Sequence, residues 1–113
     1  MMLTILGNNG PYPAPGGACS GYLLFSDSGN TSILIDCGAG VLSRLLGEGD
    51  LEGLDAVILS HLHYDHMSDM LPMQYALQFN PRAHPLPVYA PLTPEPVRAL
   101  LSCPHYDLWE LAD

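Results

Sequence analysis

An α/β fold follows from three features of this sequence. Short runs of β-type residues alternate with segments of helical periodicity, and glycine and proline clusters punctuate them. One continuous apolar run, Ala56-Val57-Ile58-Leu59, has the character of a strand covered on both faces. The 113 residues suffice for one domain with its own core, and no internal repeat divides them.

In chain order, Met2 to Leu6 reads as the first strand. Gly7 to Gly21, GNNGPYPAPGGACSG, holds five glycines and three prolines and is a loop. It is long for a connection inside a compact domain, and long ordered loops are commonly functional. Tyr22–Phe25 and Thr31–Asp36 flank a Ser-Asp-Ser-Gly-Asn turn and predict a hairpin. Val41, Leu42, Leu45 and Leu46 fall at helical spacing, with Gly47 placed to end that helix. Residues 55–59 form the buried strand. A second helix is expected over 68–79, lined by Met70, Leu71, Met73, Leu77 and Phe79, with Pro72 tolerable only in its first turn. Pro85 to Ala90 predicts a strand that its prolines push toward a sheet edge. Thr93-Pro-Glu-Pro opens a helix in the manner of a capped N-terminus with early prolines. The tail from Pro104 onward fits neither pattern, and Trp109 within it carries no functional signal.

Composition narrows the function. Twelve acidic residues face three arginines and no lysine, a net charge of −9, so the chain offers no basic surface for a long nucleic acid. No apolar run is long enough to span a bilayer. Met1 to Ile5 lacks a basic n-region, and the expectation is a cytoplasmic protein with no membrane partner. Cys19, Cys37 and Cys103 are odd in number and widely spaced. They match neither a disulfide framework nor a Cys-pair zinc motif, and read as small buried hydrophobes. Gly7 and Gly10 fit neither dinucleotide nor P-loop spacing.

The chemistry concentrates in Ser60 to Asp69, SHLHYDHMSD, which holds three of the chain's five histidines. In an extended segment side chains alternate, so His61, His63 and Asp65 share one side while Leu62 and Tyr64 take the other. His66 breaks the alternation, as at a turn into the next helix. Four ligand-type groups thus gather at a strand end, where α/β sheets bind ligands. Imidazole nitrogens and a carboxylate suit Zn²⁺, with Mn²⁺ or Fe as alternatives. Two such metals, about 3.5–4 Å apart, can clamp the attacking and leaving oxygens of an in-line displacement and supply hydroxide at neutral pH. Asp65 is the candidate catalytic residue, holding metal and orienting the nucleophile.

Ser60-His61-Leu62-His63-Tyr64-Asp65-His66 resembles the metal motif of the metallo-β-lactamase superfamily. ILIDCGAG, Ile33 to Gly40, is similar to that family's strand ending in Asp-x-Gly, with Asp36 and Gly38 in those places. Leu6 to Leu24 is similar to the first loop of the ribonuclease Z-like branch. The resemblance spans about residues 2–91 and implies the N-terminal half of an αββα sandwich, a mixed sheet with flanking helices. It implies that His61 and His63 bind one metal, Asp65 and His66 the other, two zinc ions in a complete site. It further implies hydrolysis of a phosphodiester, thioester, lactone or amide by a metal-bridging hydroxide. For Asp36 two roles stand open: hydrogen-bonding a ligand histidine, or capping the helix that starts near Gly40.

Four donors fall short of a binuclear site, because catalytic zinc takes about three protein ligands per metal. His84, His105 and Asp107 lack the context of the family's downstream ligands. Residues 1–113 are therefore expected to be a partial domain, truncated at the C-terminus, with metal loop 60–69. Its missing half, or a partner such as a second copy, would cover an exposed apolar sheet and helix surface, Met67, Met70, Met73 and Tyr75 included. The expected function is a metal-dependent phosphodiesterase acting on RNA or, given the acidic composition, a smaller phosphodiester. A thioester, lactone or carboxyl-ester hydrolase of the same fold and a catalytically incomplete metal-binding or interaction module are the alternatives.

Overall fold

A computed structural model describes residues 1–112; Asp113, the last residue of the expected domain, lies outside them. Six strands form one sheet in sequence order: β1 (Met2–Gly7), β2 (Gly21–Phe25), β3 (Ser32–Ile35), β4 (Ala56–Ile58), β5 (Leu86–Ala90) and β6 (Tyr106–Glu110). β1, β2 and β3 pair antiparallel, and the Ser26–Thr31 turn closes the hairpin. From β3 onward every pairing is parallel. Parallel neighbours need a crossover, and helices supply each one. α1 (Val41–Glu48) joins β3 to β4, α2 (Tyr64–Met67) and α3 (Met70–Phe79) join β4 to β5, and α4 (Glu95–Ala99) joins β5 to β6. The sheet is mixed, as expected.

Strand period decides where the core lies. Leu23, Leu34, Val57 and Val88 are cross-strand neighbours on one face and are all buried. Val41 and Leu45 of α1, Met67 of α2 and Met70, Met73 and Leu77 of α3 belong to the same core. The three methionines are therefore ordinary core, not exposed surface, while Tyr75 does face outward at 66 % exposure. The opposite face carries Leu3, Ile5, Tyr22, Leu24, Ile33, Ile35, Ala56, Ile58 and Tyr89, apolar in every strand from β1 to β5. Its rim is open: Leu3, Ile5 and Trp109 are more than half exposed. The expectation that β4 is covered on both faces is thus half right. Val57 and Leu59 are fully buried, whereas Ala56 and Ile58 on the open face are only partly covered.

Other local expectations shift for identifiable reasons. α1 runs through Gly47 to Glu48 and ends at Gly49, because one glycine inside a helix costs only about 1 kcal/mol. α4 has no side-chain cap from Thr93. β5 is an inner strand despite Pro87, and β6, formed by the ambiguous tail, is the edge. Pro87 is accommodated because the β4 ladder registers only at Val88 and Tyr89, so its missing N–H falls before that ladder begins.

The buried Tyr106 hydroxyl donates to the Met70 carbonyl, tying the edge strand to α3. Burial, with the Cys37 and Cys103 sulfurs nearby, holds its phenol well above the usual tyrosine range. The folded state keeps a proton that the unfolded chain releases, so this contribution is intact below about pH 10 and is lost as pH rises further. Tyr106→Phe should lower stability by about 1 kcal/mol at pH 8 and flatten the decline in urea midpoint between pH 8 and 11. An unchanged alkaline slope would count against this.

Candidate metal centre

Parallel pairing brings the ends of β3 and β4 side by side, and the candidate residues follow those ends directly. Asp36 is the first residue after β3, and its backbone N–H donates to the Ile58 carbonyl at 2.9 Å. It adopts φ 63°, the left-handed region that aspartate enters more readily than most residues. Ser60 and His61 follow β4 after Leu59. The extended run ends at His63, because α2 begins at Tyr64. Asp65 is accordingly helical and does not continue the strand alternation; a tight helical turn, not a pleat, brings it and His66 back toward His61.

One buried carboxylate organises the cluster. Asp36 accepts from the Ser60 backbone N–H at 2.8 Å and from the Ser60 hydroxyl at 2.8 and 2.9 Å. It also meets His66 Nδ1 at 2.8 Å. Ser60 Oγ lies 3.0 Å from His61 Nδ1. With its single proton committed to Asp36, the serine oxygen accepts there, which makes His61 an Nδ1–H tautomer. The same carboxylate makes His66 an Nδ1–H donor. Both imidazoles are thereby left with an Nε2 lone pair turned away from Asp36, the orientation that ligand histidines take from a carboxylate partner.

The three rings lie close together. The ring centroid of His61 stands 4.0 Å from that of His66 and 4.8 Å from that of His63. His66 Nε2 lies 3.3 Å from Asp65 Oδ2. A lone pair facing a carboxylate oxygen at that distance is stable only with a proton or a cation between them. Among the described residues no three such side chains are already closed around a common point. The donor types fit a divalent cation of the zinc class.

Surrounding segments clamp the loop from behind. Cys37 N donates to the His66 carbonyl at 2.7 Å, Ser20 N to the Asp65 carbonyl at 3.3 Å, and Asp69 N to the Cys37 carbonyl at 3.0 Å. Asp69 Oδ2 accepts from Gly40 N and Leu42 N, so Asp69 is the carboxylate at the start of α1 and Asp36 is not. Sequence reading gave no role to Ser60, Asp69 or Gly10. Asp69 caps a helix 27 positions away in the chain, and no local pattern could announce that. Ser60 stood in plain view, but its use depends on Asp36 lying beside it.

His84 and His105 do not join this centre. Each precedes its parallel strand, at the opposite end of the sheet from His61, where both line a small cleft with Pro81, Pro85 and Pro104. Asp107 pairs with Pro87 on the edge strand. Cys19 and Cys37 are buried close by, yet burial, with Asp69 and Asp36 adding to it for Cys37, pushes both thiols up from their ordinary range. They act as packing groups.

Comparison with known proteins agrees with this architecture. The family model of the metallo-beta-lactamase superfamily matches residues 14–108. The chain is 46 % identical over 93 residues to a probable metallo-hydrolase, YhfI, of Bacillus subtilis, covering 79 % of this chain and 37 % of that protein. It is 37 % identical over 111 residues to ribonuclease Z of Mycolicibacterium paratuberculosis, covering 94 % and 39 % respectively. The crystal structure of YhfI superposes with a TM-score of 0.86 at 41 % identity, over 97 % of this chain and 44 % of that one. The short form of human tRNase Z shares the fold at a TM-score of 0.77 and 22 % identity, with the same two coverages. The chain thus spans about two fifths of the length of the relatives it matches.

Two outcomes are expected from the geometry. Asp36→Ala leaves Ser60 and His66 without their acceptor and places alanine at a positive φ. It should cost about 1–3 kcal/mol, and ¹⁵N-edited spectra should show His66 losing its dominant Nδ1–H tautomer; a retained tautomer would remove Asp36 from the centre. Gly38 and Gly10 should differ sharply. A Cβ on Gly38 would lie 2.0 Å from the Asp65 carbonyl oxygen, whereas one on Gly10 would meet only the Asp65 Oδ2, at 2.8 Å. Backbone cannot yield as a side chain can, so Gly38→Ala should lose roughly 1–3 kcal/mol and Gly10→Ala little, as read from urea midpoints.

Proposed function

The chain belongs to the metallo-beta-lactamase superfamily of metallo-hydrolases, and from that premise we propose that it carries the first metal-ligand loop of a zinc-dependent phosphodiesterase of the ribonuclease Z-like kind. The observation that carries the reading is the Asp36–Ser60 relay, which engages Nδ1 of both His61 and His66 and leaves their Nε2 atoms free, with the two ring centroids 4.0 Å apart. His61 and His63 would hold one ion, and Asp65 and His66 a second. Zinc suits these donors best, with manganese or iron as substitutes. When bound, such an ion supplies Lewis-acid activation of water and of a phosphoryl oxygen.

The chain's own residues do the remaining work. Asp36 fixes the imidazole tautomers. Asp65, held by its backbone to Ser20 and packed against Gly10, presents a carboxylate that orients the attacking nucleophile. A phosphodiester is favoured over other esters by the name of the ribonuclease Z relative.

Substrate size follows from the arginines. Arg44 is spent on the carbonyls of Leu6 and Gly16, Arg82 on those of Leu51, Leu54 and His84, and Arg98 on those of Ala90 and Pro91. With no lysine in the chain, none of these residues remains to grip an RNA backbone. The reading is therefore a small phosphodiester, with longer RNA requiring cations from elsewhere.

The open apolar face of the sheet supports a further part of the proposal, that residues 1–113 are the N-terminal portion of a longer hydrolase whose remainder, or a second copy, covers that face and completes the ligand set. No helix among the described residues is long and apolar enough to cross a membrane. Three free cysteines suit the reducing cytoplasm, which we propose as the site of this activity.

Zinc uptake, followed by competition with a chromogenic chelator, should weaken at least about tenfold in His61→Ala and His63→Ala, the scale of losing one ligand or its support. The full-length gene product should hydrolyse bis(p-nitrophenyl) phosphate only with added Zn²⁺ or Mn²⁺. Undiminished uptake in both variants, or turnover that ignores the metal, would reject the assignment.

A further inference from the structure

The first loop, residues 8–20, leaves β1 and returns as β2, and from Gly10 to Gly16 every residue is exposed. Two side chains nonetheless fix its shape. Inside the loop, Asn9 Oδ1 accepts from the Ala14 N–H at 3.0 Å, while the Asn9 N–H donates to the Ala18 carbonyl at 3.0 Å. Across its two ends, the Arg44 guanidinium of α1 donates to the Leu6 and Gly16 carbonyls, each at 2.6 Å. The β1–β2 ladder shifts register between Ile5 and Gly7, and a bulge of this kind leaves one residue unpaired. Leu6 is that residue, so its carbonyl is free for Arg44.

The loop so closed bears on the metal loop at Asp65. In place of a Cβ, which would stand 2.8 Å from Asp65 Oδ2, Gly10 presents a Cα hydrogen to that oxygen. The same Oδ2 lies 3.3 Å from His66 Nε2. At the end of the loop, Ser20 donates its N–H to the Asp65 carbonyl at 3.3 Å. Backbone and carboxylate of Asp65 are thus both met by one loop. Among the described residues no side chain other than His66 pairs with that carboxylate.

We infer that Arg44 and Asn9 are positioning residues, which hold Gly10 against Asp65 Oδ2 and so keep the carboxylate turned toward His66 Nε2. The inference rests on the reading of Asp65 and His66 as ligands of one ion, and adds what fixes that carboxylate. An aspartate has several staggered rotamers, and the Gly10 backbone closes off those that would carry Oδ2 into its place. Neither Arg44 nor Asn9 touches the ion or a substrate; both act through Gly10.

A pair of substitutions in the full-length protein tests this. Gly10→Ala puts a methyl group against Oδ2 and displaces the carboxylate. Arg44→Met, at an exposed helical position, releases the loop. In ¹⁵N-histidine spectra of the metal-free protein, each should move the His66 Nε2 resonance and leave that of His61 in place. Zinc uptake, measured by chelator competition, should weaken about tenfold in each, the scale of removing a ligand's support. The double variant should bind zinc no more weakly than Arg44→Met alone, because a released loop no longer carries its methyl group to Asp65. Asn9→Ala makes the same release from inside the loop and decides the matter where Arg44→Met fails to fold. An unmoved His66 signal in either single variant, a His61 signal that moves equally, or zinc losses that multiply in the double variant would overturn the positioning role. Failure of the unaltered protein to take up zinc, with the His66 shifts present, would instead retain the positioning role and discard the ligand reading.

Discussion

The carboxylate of Asp36 is the point on which the candidate centre depends. It is 4 % exposed, and a buried charge is tolerable only when its lone pairs are met. The segment after β4 and helix α2 meet them: a backbone N–H and a hydroxyl from Ser60, and an imidazole N–H from His66. Desolvation thus forces β3, β4 and α2 into one arrangement, and the tautomers of two histidines follow from it. The left-handed backbone at Asp36 is part of the same solution, since it turns the carboxylate from the sheet toward the loop.

Around that point the protein trades side chains for close backbone approach. The segment from Asp36 to Gly40 and the end of the first loop pass so near the metal loop that peptide groups bond to peptide groups, as Cys37 does to His66 and Ser20 to Asp65. Gly38 permits it by having no Cβ. Asp69 then anchors α1 to the same loop through the first N–H groups of that helix, where a negative charge also meets the positive end of the helix dipole. The imidazoles project from a rigid bed, which is what a site of defined geometry requires.

The sheet itself is asymmetric. One face is sealed by α1, α2 and α3 over Leu23, Leu34, Val57 and Val88. The other carries apolar side chains strand after strand with no layer over them among the described residues. Alternation within a strand is usually apolar against polar when one face meets water; here both faces are apolar from β2 to β4. Ile33, Ile35 and Ile58 stand on that second face, each only partly covered. The centre lies at the strand ends bordering that face.

The sequence by itself determined the first five strands and helices α1, α3 and α4 to within a few residues, though not α2 or β6, and it marked the six-residue span from His61 to His66 as the chemical focus and identified the family. Those signals are local: period two against period 3.6, turn residues at the hairpin, and donor types packed at short spacing. Where local rules misled at Pro87, the start of the β4 ladder was the reason; at Gly47 it was the small cost of one glycine inside a helix. Only the tertiary structure decided what connects across the chain. It sent Asp36 to His66 and Ser60, sent Asp69 to the helix cap, put His84 and His105 at the far end of the sheet, and engaged Arg44 and Arg82 with distant backbone carbonyls. These are contacts between residues some 20 to 40 positions apart, fixed by the parallel register of β3, β4 and β5, and no pattern confined to one segment contains that register.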